Sequence, residues 1–199
     1  FINSEMIICG IDEAGRGPLA GPVVIAAAVM GQGARIEGVR DSKKLSPKKR
    51  AALYENIKCE AVKIHTAVIS NDYVDEHNIL KSVMIGMEEC IEAVETDGMK
   101  FLIDGNYFRL ENGKENKFTY ETIVKGDDKV YEISCASIIA KVTRDRIMEE
   151  YDRIYPVYGF RTNKGYGTAE HIKAIIRYGP CEIHRKSFLK NILIKIPLF

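Results

Sequence analysis

Apolar and polar positions fall into blocks along the chain, and the period changes from block to block. Ile7, Ile8 and Ile11 run into Asp12 and Glu13, and after the stretch IDEAGRGPLAG a second apolar run, PVVIAAAVM, follows at 22–30. Two short apolar runs joined by a glycine-containing loop predict a hairpin, with the loop beside a sheet. AVKIHTAVI at 61–69 alternates with period two and predicts a third strand. KFLID at 100–104 is a fourth, ending on an acid before Gly105 and Asn106, and 119–125 is a fifth, ending on Lys125, Gly126, Asp127 and Asp128. Helical patterns fill the intervals. Ser46 suits an N-cap and Pro47 the first helical position, with Leu53 and Ile57 on one face. NDYVDEHN leads into a helix over 79–94, and Ile133, Ala136, Ala140 and Ile147 predict a long helix over 130–155. GFRTNKGYGT then breaks the pattern, Thr168 caps a short helix with Ile172, Ile175 and Ile176 inward, and Gly179 with Pro180 stops it. Strands alternating with helices predict an α/β layer fold, whose ligands bind beyond strand ends.

Three of the predicted strands end on carboxylates, which brings Asp12, Glu13, Asp104 and Asp127 into question together. A DE pair taken alone suits a charged hairpin turn equally well. Converging acids are harder to dismiss, because two carboxylates about 4 Å apart repel by roughly 4 kcal/mol at an effective dielectric of about 20. Such a group protonates or holds a divalent cation, and oxygen ligands without His or Cys favour Mg²⁺ or Mn²⁺, ions that ordinarily hold phosphates. Polyphosphate or nucleic acid is the substrate class this implies. Adjacent residues on a regular strand face opposite ways, so a shared site predicts that the strand breaks at Glu13. Gly15 and Gly17 free the backbone to approach a ligand closely, with the Arg16 cation between them.

Composition narrows the setting. A chain of 199 residues with 46% hydrophobic content fits one substantial domain over 1–199. With 29 basic against 28 acidic side chains the net charge is +1, so no global field recruits nucleic acid and any polyanion site is local. Lys43, Lys44, Lys48, Lys49 and Arg50 form a cationic patch near a helix start, readable as a solvated face or as a phosphate contact. The five cysteines are scattered without a CxxC pair, which fits a reducing cytoplasm. His65 and His77 lack a partner at ligand spacing and read as structural. The longest apolar run, Val23–Met30, is too short for a bilayer that needs about 20 residues. The first residues lack a secretory pattern; 1–5 read as a remnant, with Met6 the expected natural start.

IDEAGRGPLAGPVV at 11–24, DSKKLS at 41–46, DGN at 104–106, KGD at 125–127, SCASIIAKVTRD at 134–145, KGYGT at 164–168 and IHRKSF at 183–188 together resemble bacterial ribonuclease HII, a type 2 ribonuclease H, in order over nearly the whole chain. Type HIII relatives carry an extra N-terminal domain and a different glycine loop, so type HII is the expectation. The resemblance implies a ribonuclease H-like fold, a central mixed β-sheet flanked by helices. It implies a metal-dependent endonuclease that cuts the RNA strand of RNA/DNA hybrids and incises 5′ to a single ribonucleotide in duplex DNA, leaving 3′-hydroxyl and 5′-phosphate ends. Asp12, Glu13, Asp104 and Asp127 would be the catalytic and metal-binding acids for two Mn²⁺ or Mg²⁺ ions about 3.5 to 4 Å apart, with Asp12 bridging. Gly15, Arg16, Gly17 and Tyr166 would read the ribose 2′-hydroxyl, which both donates and accepts. Lys43, Lys44, Ser137, Lys141, Arg185 and Lys186 would contact phosphates, and Ser187 would be structural. A cytoplasmic monomer without a membrane partner is expected, with an apolar tail from Ile192 packed on the domain. Two other classes share some of these features: a metal-dependent DNA nuclease or resolvase indifferent to the 2′-hydroxyl, and a non-catalytic binding module.

Overall fold

The computed structural model describes residues 6–40, 42–110 and 118–194. Asp41 of the DSKKLS stretch, the first five residues and the tail from 195 onward lie outside them. Five strands, β1 (Ile7–Ala14), β2 (Val23–Met30), β3 (Ala61–Ile69), β4 (Met99–Asp104) and β5 (Thr119–Ile123), form one sheet in the order β3-β2-β1-β4-β5. The β1–β2 and β2–β3 pairs are antiparallel, whereas β1–β4 and β4–β5 are parallel, so the sheet is mixed as expected. The helices are α1 (Pro47–Glu60), α2 (Asn71–His77), α3 (Ile79–Val94), α4 (Gly126–Lys129), α5 (Tyr131–Ile154), α6 (Phe160–Asn163), α7 (Ala169–Tyr178) and α8 (Lys190–Leu193).

Every residue of β2 is buried, which is why its sequence is continuously apolar rather than alternating. Its two faces serve two cores. Ile25, Ala27 and Val29 pack with Cys9, Ile11, Phe101 and Ile103 against Met87 and Ile91 of α3. Ala26, Ala28 and Met30 pack against Leu53 and Ile57 of α1 and Ile138, Ile139 and Val142 of α5. Each fully buried aliphatic side chain contributes about 1.5–3 kcal/mol relative to exposure. Helix α5 crosses β1 so closely that a Cβ on Gly10 would stand 2.1 Å from the Glu132 carbonyl carbon, so only glycine fits beneath it. A third cluster, including Met148, Phe160, Ile175, Ile183 and Leu189, joins the end of α5 to the C-terminal segment. Ile192 and Leu193 of the expected apolar tail pack there, and Ile194 stands exposed.

Several local expectations change. The strand does not break at Glu13, because β1 continues to Ala14, which pairs with Val24. The fifth strand stops at Ile123, since Lys125 takes a left-handed conformation (φ 58°) that turns the chain into α4 and places Asp127 in a helical turn. The NDYVDEH stretch is itself a helix, α2, which ends at His77, and Asn78 caps α3 by accepting from the Lys81 N–H at 3.0 Å. Among the described residues no helix is long and apolar enough to cross a membrane.

Candidate active site

The parallel pairing of β1 and β4 ends at Ile11 opposite Ile103, so the next residues, Asp12 and Asp104, leave adjacent strand ends on the same face. The turn after β5 brings Asp127 to them. One oxygen from each of the three carboxylates lies within 4.8 Å of the others. Asp12 and Asp127 are buried and Asp104 is half-buried. Asp12 Oδ1 accepts the Glu13 N–H at 2.7 Å, Asp104 Oδ1 accepts the Gly126 N–H at 2.6 Å, and Lys43 Nζ donates to Asp127 Oδ2 at 3.1 Å. Burial pushes the Asp12 carboxyl well above the usual carboxylate range, and the charges of Glu13 and Asp104 push it further. Burial likewise raises Asp104, with the Asp127 charge adding to it.

Glu13 is not one of the three convergent acids. It nevertheless lines the same cleft, of about 220 Å³, which runs from Asp12 past the glycine loop to Tyr166. Its Oε1 accepts from Arg16 at 3.1 Å, and its Oε2 is buried with no hydrogen-bond partner among the described residues. Burial raises its pKa in spite of the Arg16 cation. An orphaned carboxylate oxygen beside three crowded acids, all of them hard oxygen donors, is the donor set that a Mg²⁺ or Mn²⁺ ion satisfies.

A family model for ribonuclease HII matches residues 9–191. The chain belongs to the ribonuclease HII family. A curated ribonuclease HII of Caldicellulosiruptor saccharolyticus is 52% identical over 186 residues, covering 94% of this chain and 88% of that one. The crystal structure of ribonuclease H2 from Pyrococcus horikoshii superposes with a TM-score of 0.78 at 27% identity, covering 96% and 99% of the two chains. The fold also matches Bst-RNase HIII, crystallised in complex with Mn²⁺, with a TM-score of 0.74 at 19% identity over 95% of this chain and 70% of that one. As a ribonuclease HII the protein is a metal-dependent endonuclease acting on RNA/DNA hybrids, and its sheet is the ribonuclease H-like sheet.

The remaining sequence candidates divide once they are placed on this ribonuclease HII site. Gly15, Arg16, Gly17, Lys43, Ser137, Lys141 and Tyr166 all line the cleft. Lys44 lies aside, paired with Asp128 at 2.6 Å, and Lys186 is exposed on the C-terminal segment. Ser137 is buried, shares a 2.8 Å hydrogen bond with the Ser42 hydroxyl and bonds to Asp12, where it lowers the carboxyl pKa. It supports an acid rather than presenting a hydroxyl to phosphate. Lys141 bonds to Asp145 at 2.6 Å, an acid also faced by Arg50 at 3.5 Å, so Arg50 of the expected cationic patch is a buried tie between α1 and α5.

Arg185 departs most from expectation. It is 0% exposed, and its guanidinium donates to the carbonyls of Gly15, Arg16, Pro18 and Gly21 at 2.7 to 3.1 Å, so it has no face open to phosphate. Arg144, which the sequence showed only within the SCASIIAKVTRD stretch, donates to the carbonyls of Ala20, Pro22 and Lys164. The spacing did carry a signal, since Ala136, Ala140, Arg144 and Met148 form one buried i,i+4 row.

Two histidines that the sequence left unremarked complete the support of the Tyr166 loop. The Cys181 N–H donates to His184 Nδ1 at 2.9 Å, which fixes the His184 proton on Nε2. That proton is donated to His171 Nε2 at 3.1 Å, and His171 Nδ1–H donates to the Tyr166 carbonyl at 2.8 Å. Burial drives both imidazoles toward the neutral form, His184 to about 4.

Proposed function

We propose that this ribonuclease HII holds divalent cations on Asp12, Glu13, Asp104 and Asp127 and incises duplex DNA 5′ to a single ribonucleotide as well as cutting the RNA strand of hybrids. The observation that carries this reading is the continuous cleft from Asp12 and Glu13 to the Gly15–Gly17 loop and the phenol of Tyr166. A bound divalent cation would supply Lewis-acid activation of water and neutralise charge on the cleaved phosphodiester. The protein's own groups do the rest. Asp12 is kept in place by Ser137 and by the Glu13 N–H. Asp104 is aimed by the Gly126 N–H, and Lys43 steadies Asp127 while staying exposed enough to meet a phosphate. Tyr166 is 45% exposed, and a Cβ on Gly17 would sit 3.9 Å from its ring, so a sugar entering the cleft meets the phenol and the loop backbone together. Arg16 and Lys141 add cations beside the acids and can position the backbone phosphates without reading sequence.

The substrate-facing set in this reading is therefore Gly15, Arg16, Gly17, Lys43, Lys141 and Tyr166, within one catalytic domain. The test incubates the pure protein with duplex DNA carrying one ribonucleotide, in Mg²⁺, in Mn²⁺ and in chelator, beside an all-DNA duplex. Metal-dependent incision confined to the 5′ side of the ribonucleotide is expected. Equal cutting of the all-DNA duplex would leave the metal site standing and defeat the sugar reading.

A further inference from the structure

We infer that Arg185, with Arg144 beside it, is a positioning residue for ribose discrimination, acting as a buried clamp that orients the peptide planes of the glycine loop. This rests on the reading of Gly15–Gly17 and Tyr166 as the sugar reader.

The argument starts from peptide geometry. In a trans peptide the C=O and the following N–H point in opposite directions, and the described chain has no cis peptide. The Gly15 and Arg16 carbonyls both point down to the Arg185 guanidinium, at 2.7 and 3.0 Å, so the N–H groups of Arg16 and Gly17 point away from it. The same rule is visible further along the loop. The Pro18 carbonyl meets Arg185 at 3.1 Å, and the Leu19 N–H leaves on the other side to donate to the Gly165 carbonyl at 2.8 Å. The Arg16 and Gly17 N–H groups have no hydrogen-bond acceptor among the described residues. Their residues line the cleft with Tyr166, and Arg185 does not. Two unclaimed donors thus sit on the cleft side because two acceptors are claimed beneath.

Arg144 ties the other half of the reader to the same clamp. It donates to Ala20 and Pro22 of the loop and to Lys164, two residues before Tyr166, whose ring centre lies 5.9 Å from the guanidinium carbon. Gly15 has φ +101°, and a Cβ there would stand 2.1 Å from Arg144 Nε, so the loop lies directly on the cation. A guanidinium suits this role because its planar fork carries five donors in fixed directions, whereas an ammonium is a point donor that fixes no plane. Lysine would keep the charge and lose the orientation.

The experiment makes Arg185→Lys and Arg144→Lys separately in the full chain, with Ile91→Val, in the core on the opposite face of the sheet, as a stability control. Incision of a single-ribonucleotide duplex is measured well below each melting temperature, beside calorimetric Mn²⁺ affinity. For Arg185→Lys the expected result is at least a tenfold fall in kcat with KM and Mn²⁺ affinity within twofold of wild type, and for Arg144→Lys a smaller fall of the same kind. Ile91→Val keeps kcat. A kcat within twofold of wild type in folded Arg185→Lys and Arg144→Lys would overturn the proposal. So would collapse of the fold in both, which would make these arginines structural and nothing more. Failure of the wild-type protein itself to incise at the ribonucleotide would instead defeat the functional reading on which the clamp depends.

Discussion

Asp12 is disfavoured as an anion twice over: the strand end buries it, and its neighbours are acids. Without a cation, protonation relieves both, so metal binding must expel protons from the cluster. Calorimetry of Mn²⁺ binding at neutral pH, repeated in buffers of different ionisation enthalpy, should show net proton release, and Asp12→Asn should reduce it. The same substitution should leave a folded protein with activity down on the order of 10³-fold or more, as expected where several kcal/mol of electrostatic stabilisation is removed. Tyr166 makes a smaller and different contribution. Among the described residues its hydroxyl forms none of the hydrogen bonds that hold the loop, which come from backbone groups, Arg144, His171 and Asn163. Tyr166→Phe should therefore keep the melting temperature and lose roughly tenfold in kcat/KM at a single ribonucleotide, the worth of one hydrogen bond. Retained turnover in that variant would remove the phenol from sugar reading.

At the scale of elements, strands and helices were legible in the sequence wherever one period governed a segment. The third strand, the helix from Pro47 and the Thr168 cap follow directly from alternation, N-cap chemistry and apolar stripes. The turn carrying Asp127 falls where the sequence put it, but the strand before it was read two residues too long, because the left-handed Lys125 carries none of the usual signals of such a conformation, which favours Gly or Asn. Arg144 and Arg185 were hidden for another reason. A buried arginine whose partners are backbone carbonyls leaves no complementary acid in the sequence, so only the apolar i,i+4 row marked Arg144, and Arg185 had no such row. His171 and His184 were hidden likewise, being thirteen residues apart and joined only when α7 docks on the segment after it. Their neutrality has a sign that can be tested. The folded pKa of His184, about 4, lies below the ordinary value of about 6.5, so between those limits the unfolded chain holds the extra proton. This contribution to stability is complete above the window and is lost as pH falls through it, at no more than about 1.4 kcal/mol per pH unit for one proton. Because the raised carboxylates act in the opposite sense, urea midpoints at pH 7 and pH 5 should be compared in saturating Mg²⁺, where a lower midpoint at pH 5 is expected. The His184 ring resonance should stay that of a neutral imidazole down to about pH 5.

Over the whole molecule, the sheet brings together acids from distant parts of the chain, and that assembly is only complete in the native state. A cation that binds all of them binds the folded protein and not the unfolded one, which stabilises the fold by about 2.7 kcal/mol at a concentration of 100 Kd. The wild-type melting temperature should rise with Mg²⁺ or Mn²⁺, and Asp12→Asn should flatten the rise; a full rise in that variant would place the ion elsewhere. The near-zero net charge fits the same picture, since the +1 balance leaves recognition to a few cations around the cleft rather than to a general field. The join between Ala20 and His184, where a single bridge lays the late chain against the early loop, also sets a timetable. Synthesis proceeds from the N-terminus, so Asp12, Asp104 and Asp127 all leave the ribosome before residue 185. A chain halted between Asp127 and Arg185 would carry every acid of the cluster and lack the side chain that fastens the glycine loop.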